Sequence, residues 1–140
     1  MAGAENGGAE EFFMRLAAAF SRTNINQKII IRKHTGRRSR LESCDIDVTE
    51  TPFGGLIDFA TKPIIKRQIN YFKPEIVLAW MSRAARYCPA GDHTLVARLG
   101  GYYNLKYYRH CDHLIGNTAD IRQYLIDEGW PENRAWYIPN

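Results

Sequence analysis

At 140 residues the chain has the length of one ordinary domain, enough to bury a real core. Hydrophobic residues make up 45% and charged residues 24%, proportions that exclude a disordered chain. No run of about 18 apolar residues offers a membrane span. The net charge of +4 is unevenly spread: Lys28, Arg32, Lys33, Arg37, Arg38 and Arg40 follow one another with no acid between them. Such a stretch can face a phosphorylated substrate, anionic lipid or nucleic acid, or lie as a solvated loop after a strand. Aromatic residues do not interleave with it, so nucleic acid is the weaker of these partners.

In chain order, Met1 to Gly8 has neither the basic nor the apolar region of a secretory signal. Gly8 to Phe20 has helical spacing, with Phe12, Leu16, Ala19 and Phe20 as the inner stripe. Gln27 to Arg32 is a β-branched run that predicts a buried strand, and Ile46 to Thr49 a weaker strand ending before Pro52. Leu56 to Phe72 returns to helical spacing, with Pro63 expected to kink or restart the helix. Glu75 to Met81 is a further buried strand, followed by a short helix or turn over Ser82 to Tyr87. Thr94 to Leu99 and His113 to Gly116 are strands. Asn117-Thr118 then caps a helix with Asp120 in its first turn and Ile121 and Leu125 inside, stopped at Gly129 and Pro131. Ala135 to Ile138 is the last strand.

Apolar strands alternating with helices predict a Rossmann-like α/β fold, a parallel sheet covered by helices on both faces. A glycine-rich turn opening a helix, as Asn6-Gly7-Gly8 does, ordinarily follows the first and central strand of such a sheet. Met1 to Glu5 does not read as that strand. The expectation is therefore a single domain over residues 1–140 that lacks its first strand, and a chain that is a fragment at both ends. Cys44, Cys88 and Cys111 are odd in number and lack CxxC spacing, as expected of reduced thiols in a cytoplasmic protein.

Three segments are candidates for ligand contact. Gly7 and Gly8 at a helix start allow close backbone approach, and the free N–H groups there attract anions; a purely steric glycine is the alternative. Arg98, Gly100, Gly101 and Tyr102 follow a buried strand, at the edge where open α/β sheets hold ligands; a tight turn with packed aromatics would look the same. Asn117 and Thr118 join a strand to a helix, where plain capping is the favoured explanation. His110-Cys111-Asp112-His113 does not predict a metal site, because adjacent residues diverge and zinc needs about four convergent ligands. No paired carboxylates or Ser-His-Asp set stands out in position.

The blocks GGAEEFFMRLAAAF, VLAWMSRA, TLVARLGGYYNLKYYRHCDHLIGNTADIRQYLIDEGWP and the closing YIPN resemble the N-terminal domain of family 4 glycosyltransferases. The likeness covers nearly the whole chain and is most specific from Thr94 to Asn140. It implies two Rossmann-like domains flanking a cleft, the N-terminal one holding the acceptor and the C-terminal one the nucleotide sugar. Transfer would retain anomeric configuration, with no metal or other cofactor. The resemblance puts Gly7 and Gly8 near the donor phosphates, Arg98 to Tyr103 in the acceptor-side loop, and Asn117 and Thr118 at its border. Many relatives carry a histidine where Gly100 stands, so that histidine's role does not transfer and the catalytic residue is left unassigned. The implied partners are a nucleotide sugar and a polysaccharide, lipopolysaccharide or lipid-linked acceptor, met in the cytoplasm or at the inner face of the cell membrane. The groups that hold the donor diphosphate belong to the C-terminal domain in this family, so residues 1–140 alone are expected to be inactive. The alternative is a Rossmann-like module that binds a phosphorylated or anionic ligand without chemistry.

Overall fold

The computed structural model describes residues 1–3, 7–54 and 57–140. Its helices are α1 (Gly8–Phe20), α2 (Thr35–Glu42), α3 (Thr61–Phe72), α4 (Met81–Tyr87) and α5 (Ala119–Asp127). Its strands are β1 (Lys28–Arg32), β2 (Asp47–Thr51), β3 (Ile76–Trp80), β4 (Thr94–Leu99), β5 (His113–Gly116) and β6 (Ala135–Tyr137). The strands form two parallel sheets, one of β1 and β2, the other in the order β3-β4-β5-β6. Among the described residues no strand lies between β1 and β3. The fold is the expected mixed α/β architecture of parallel strands flanked by helices.

Burial divides the core between the two faces. Ile29 and Ile31 pack with Phe13, Met14 and Ala17 of α1, Leu41 of α2, Val48 and Trp80. Ile30, pointing the other way along the same strand, packs on the larger cluster of Ile65, Ala79, Ala85, Leu95, Leu99, Leu114, Ile121 and Leu125. That larger cluster takes residues from α3, α4 and α5, so helices cover both sides.

Three local readings change. The basic stretch is not a loop after β1: α2 begins at Thr35, and His34 Nδ1 accepts the backbone N–H of Arg37 at 3.0 Å. Arg37 is buried, Arg38 pairs with Glu42 and Glu50, and Arg40 pairs with Glu11. Only Leu41 gives this helix an apolar contact deep in the core, so hydrophobic periodicity had nothing to register.

The inner stripe of α1 is Glu10, Phe13, Met14 and Ala17, one residue around from the expected face. The run Phe12-Phe13-Met14 satisfies helical spacing on two neighbouring faces. The one chosen buries two large side chains and leaves Ala19 outside. The helix expected from Leu56 starts at Thr61, while Gly55 and Leu56 lie outside the described residues. Pro63 sits in its first turn, where a missing N–H costs nothing, so it starts the helix rather than kinking it. Asp58 anchors that end by accepting the N–H groups of Gly54, Ala60 and Thr61.

Candidate functional site

Because all paired strands run parallel, their carboxyl ends gather on one edge. Arg98 and Leu99 of β4 end there, followed by Gly100 and Gly101. Gly116 of β5 ends beside them, and the backbone N–H of Asn117 donates to the Leu99 carbonyl at 3.2 Å. A Cβ placed on Gly100 would meet Asn117 Nδ2 at 3.6 Å, so these two candidate segments are neighbours. Met1 runs parallel to β1, its carbonyl accepting from Arg32 N at 3.0 Å, which sends the chain to the same edge before α1 starts at Gly8.

Arg98 is the most unusual residue of this edge. Only 5% of it is exposed. Its guanidinium lies over the rings of Phe12 and Trp80, at 4.9 and 5.5 Å from their centroids. Nη2 donates to the Ile138 carbonyl and to Asn140 Oδ1, both at 2.9 Å. Burial lowers its pKa from the ordinary arginine value, and no carboxylate among the described residues pairs with it. Phe12 and Phe13 pack around Trp80, the latter edge-on at 5.3 Å, so the aromatic floor beneath Arg98 is itself fixed.

Beside it, Asn117 carries a buried Oδ1 with no hydrogen-bond partner among the described residues. A buried acceptor left unpaired is costly, which makes this oxygen a natural partner for a ligand donor. Thr118 is committed to capping: its Oγ1 accepts the Ile121 N–H at 3.1 Å. Tyr102 is 63% exposed, but its hydroxyl donates to Asp120 and its ring meets Tyr124 edge-on at 5.2 Å. That hydrogen bond holds the Tyr102 pKa above the ordinary phenol value. The loop after β4 is thereby pinned on α5.

The two glycines at the start of α1 differ. A Cβ on Gly7 would stand 2.4 Å from Glu10 Oε2, whereas one on Gly8 meets nothing within 4 Å. The close approach at Gly7 is therefore made by the helix's own Glu10. That carboxylate is buried and also acts electrostatically on Arg37. Gly8 is the open position facing outward.

Two features of the edge have no signal in the sequence. Met81, directly after β3, has φ 65, a left-handed conformation that a non-glycine residue adopts at a sharp strand-to-helix turn. The pairing of Arg98 with Asn140 spans 42 residues and follows from topology alone. The histidines considered for metal lie apart: His110 Nε2 is 2.9 Å from the Ala85 carbonyl, while His113 Nδ1 accepts from Trp136.

Parallel sheets flanked by helices, with glycine turns at their carboxyl ends, define a Rossmann-like class of fold. Within that class the chain is similar to two lipopolysaccharide core biosynthesis glycosyltransferases of Rhizobium meliloti. It is 32% identical to LpsE over 130 residues, which are 90% of this chain and 38% of that protein. It is 32% identical to LpsD over 128 residues, 89% of this chain and 37% of the relative. The chain thus spans less than two fifths of the length of the curated relatives it matches.

The same fold occurs in crystal structures of Anabaena Alr3699/HepE. The complex with UDP and glucose superposes with a TM-score of 0.67 at 17% identity, covering 96% of this chain and 41% of the other. The complex with UDP gives 0.71 at 15% identity, covering 99% and 42%. No protein-family model matches the chain. The sequence likeness to these two glycosyltransferases and the shared fold agree with the resemblance to family 4.

Proposed function

We propose that the chain is the acceptor-side domain of a retaining glycosyltransferase. In this reading it helps transfer a sugar from a nucleotide sugar to a polysaccharide, lipopolysaccharide or lipid-linked acceptor. The observation that carries the proposal is Arg98, a desolvated cation at the carboxyl edge that pairs with no acid among the described residues. A buried cation of this kind offers its charge to an anionic ligand, such as a donor phosphate or a phosphorylated acceptor. Gly100, Gly101 and Asn117 border it, Gly8 leaves its backbone open to approach, and Tyr102 offers an exposed ring face.

Transfer requires both substrates to be held in line and the leaving diphosphate to be stabilised. One edge of one Rossmann-like domain supplies at most half of that cleft. Residues 1–140 alone therefore bind but do not turn over. The proposed setting is the cytoplasm or the inner face of a membrane; among the described residues no helix is long and apolar enough to cross one. The experiment follows nucleoside diphosphate release over a panel of nucleotide sugars and lipid-linked acceptors. The isolated chain should be silent, and the chain joined to a donor-binding C-terminal domain should be active. Turnover by the isolated chain would show a complete site within it, and silence of the joined protein over the whole panel would reject the transferase reading. The second reading, a binding module without chemistry, is favoured by the unpaired Asn117 oxygen beside Arg98. It predicts ligand binding that no added domain converts to transfer.

A further inference from the structure

The basic stretch around α2 is largely committed within the chain. Lys28 pairs with Asp47, Arg38 with Glu42 and Glu50, and Arg40 with Glu11, while Arg37 is buried. The helices on the other face of the strands carry a different set of cations. α3 reads TKPIIKRQINYF and α4 reads MSRAARY, with no acid in either. Lys62, Lys66, Arg67, Arg83 and Arg86 are exposed, and none pairs with an acid among the described residues. Thr61 and Ile65 face the core, so the helical period turns Lys62, Lys66 and Arg67 outward together. α4 joins the same core through Ala84 and Ala85, and Tyr87 Oη donates to the Gly54 carbonyl at 3.1 Å, beside the turn that leads into α3. α5, by contrast, exposes Asp120, Asp127 and Glu128, so the basic field stops at α4. The turn before α3 presents two large apolar side chains, Ile57 at 85% and Phe59 at 82% exposure. Asp58 between them accepts the N–H groups of Gly54, Ala60 and Thr61 and the Thr61 hydroxyl, which pins the tip and satisfies those donors from within.

We propose that this turn and the outer faces of α3 and α4 form a docking surface for an anionic lipid bilayer. Ile57 and Phe59 enter the boundary between headgroups and acyl chains, and Lys62, Lys66 and Arg67 behind them meet the lipid phosphates. Arg83 and Arg86 add to the attraction at longer range. Exposed apolar side chains backed by unpaired cations match a partner that is negative at its surface and hydrocarbon just beneath. A nucleic acid also attracts the cations, but aliphatic Ile57 has no ring to stack on a base and gains nothing from a phosphate backbone. The tip follows β2, on the edge where the carboxyl ends of the strands gather. Docking therefore holds the edge that carries Arg98 and Asn117 near the lipid. The surface does not rest on the transferase reading, because lipid binding needs no sugar transfer.

The test is co-sedimentation of the chain with vesicles of phosphatidylcholine alone or mixed with phosphatidylglycerol. Binding should require phosphatidylglycerol and weaken as salt is added. Replacing Lys62, Lys66 and Arg67 together by Gln should lower the partition coefficient by on the order of tenfold or more. Ile57→Ser with Phe59→Ser should lower it by on the order of tenfold while the salt dependence remains. Arg38→Gln with Arg40→Gln is the control and should leave binding unchanged. The replaced side chains lie at the surface, so every variant should keep the thermal midpoint of the parent chain. Phe59→Trp should show blue-shifted emission on the mixed vesicles relative to the parent chain. Failure to bind mixed vesicles would overturn the proposal. Undiminished binding by the Ile57/Phe59 variant would reject insertion, and an equal loss in the Arg38/Arg40 control would reject the placement on α3 and α4. Duplex DNA bound through Lys62, Lys66 and Arg67 while mixed vesicles go unbound would make this face a nucleic-acid contact instead.

Discussion

Arg98 and Asn140 are joined by a 2.9 Å hydrogen bond from Nη2 to Oδ1, and the same nitrogen holds the Ile138 carbonyl. One cation thus ties the end of β4 to the closing residues of the chain, while its flat face rests on Phe12 and Trp80. Arg98→Met keeps an unbranched apolar stem over those rings and removes the charge. The two acceptors it abandons lie near the surface, where water replaces the lost bonds. We expect unfolding in urea to change by no more than about 1 kcal/mol. Binding of a nucleoside diphosphate, measured by calorimetry on the two-domain protein, should be lost. Binding that survives in the Met variant would remove Arg98 from the anion site.

Gly116→Ala should be strongly felt although the change is a single methyl group. A Cβ at Gly116 would stand 2.8 Å from the backbone nitrogen of Arg122 and 2.9 Å from Ile121 Cγ2. The first of these is main chain inside α5 and cannot swing aside. Either α5 or β5 must shift, at a cost of about 1–3 kcal/mol. Gly8→Ala, placed in open space, serves as the matched control. Equal thermal midpoints for the two variants would contradict the packing described for β5 and α5.

This contrast also shows which parts of the molecule its sequence discloses. β1 and β3 were readable because KIIIR and IVLAW are apolar on both faces, as a strand covered by helices on both sides must be. α5 was readable from Thr118, Ile121, Leu125 and Gly129, where cap, stripe and stop agree. α2 was not, because His34 supplies an unusual cap and arginines fill the positions that apolar residues would mark. On α1 two overlapping stripes competed, and only the packed partners Trp80 and Ile31 decide between them. At the candidate site, the glycine turns and Asn117 could be picked out from spacing next to strand ends. The orphaned oxygen of Asn117, the left-handed Met81 and the occupation of the Gly7 pocket by Glu10 depend on three-dimensional neighbours, which no local pattern encodes.

The thiols should separate cleanly in reactivity. Burial pushes the pKa of Cys88 up to about 11 and that of Cys111 up to about 12. Their thiolate fractions near pH 8 are correspondingly small, and the thiolate is the nucleophile. Cys44 is only half-buried. Under native conditions at pH 8, iodoacetamide followed by peptide mass analysis should label Cys44 first, with Cys88 and Cys111 labelled only as fast as the protein opens. Labelling of Cys111 at the Cys44 rate would place it in a far more open setting than the described core.

The amino group of Met1 gives the chain a pH dependence with a definite sign. It is fully buried and donates to the Ile30 carbonyl; loss of water around it lowers its pKa from 8.0 to about 5, and Arg37 adds a smaller push in the same direction. In the unfolded chain the amine regains its ordinary value near 8. Between pH 5 and 8 the unfolded state therefore holds a proton that the folded state lacks, so stability rises with pH across this window. Below pH 5 both states are protonated, and the fold carries the full cost of a buried ammonium. Above pH 8 the slope from this group vanishes. The whole span is worth about 4 kcal/mol at most, and local opening of residues 1–3 would reduce it. The lowered pKa values of Asp58, Glu50 and Glu11 act elsewhere: their contributions are present above the ordinary carboxylate range and fall away as pH drops through it. Thermal unfolding at half-unit steps from pH 5 to 8 should show a rising midpoint for the free amine. Acetylation of Met1 abolishes the charge and should flatten that rise while leaving the acid limb below pH 5 in place. A midpoint that is level from pH 5 to 8 before acetylation would mean that the Met1 amine is solvated, and that its bridge to Ile30 and Arg32 does not persist in solution.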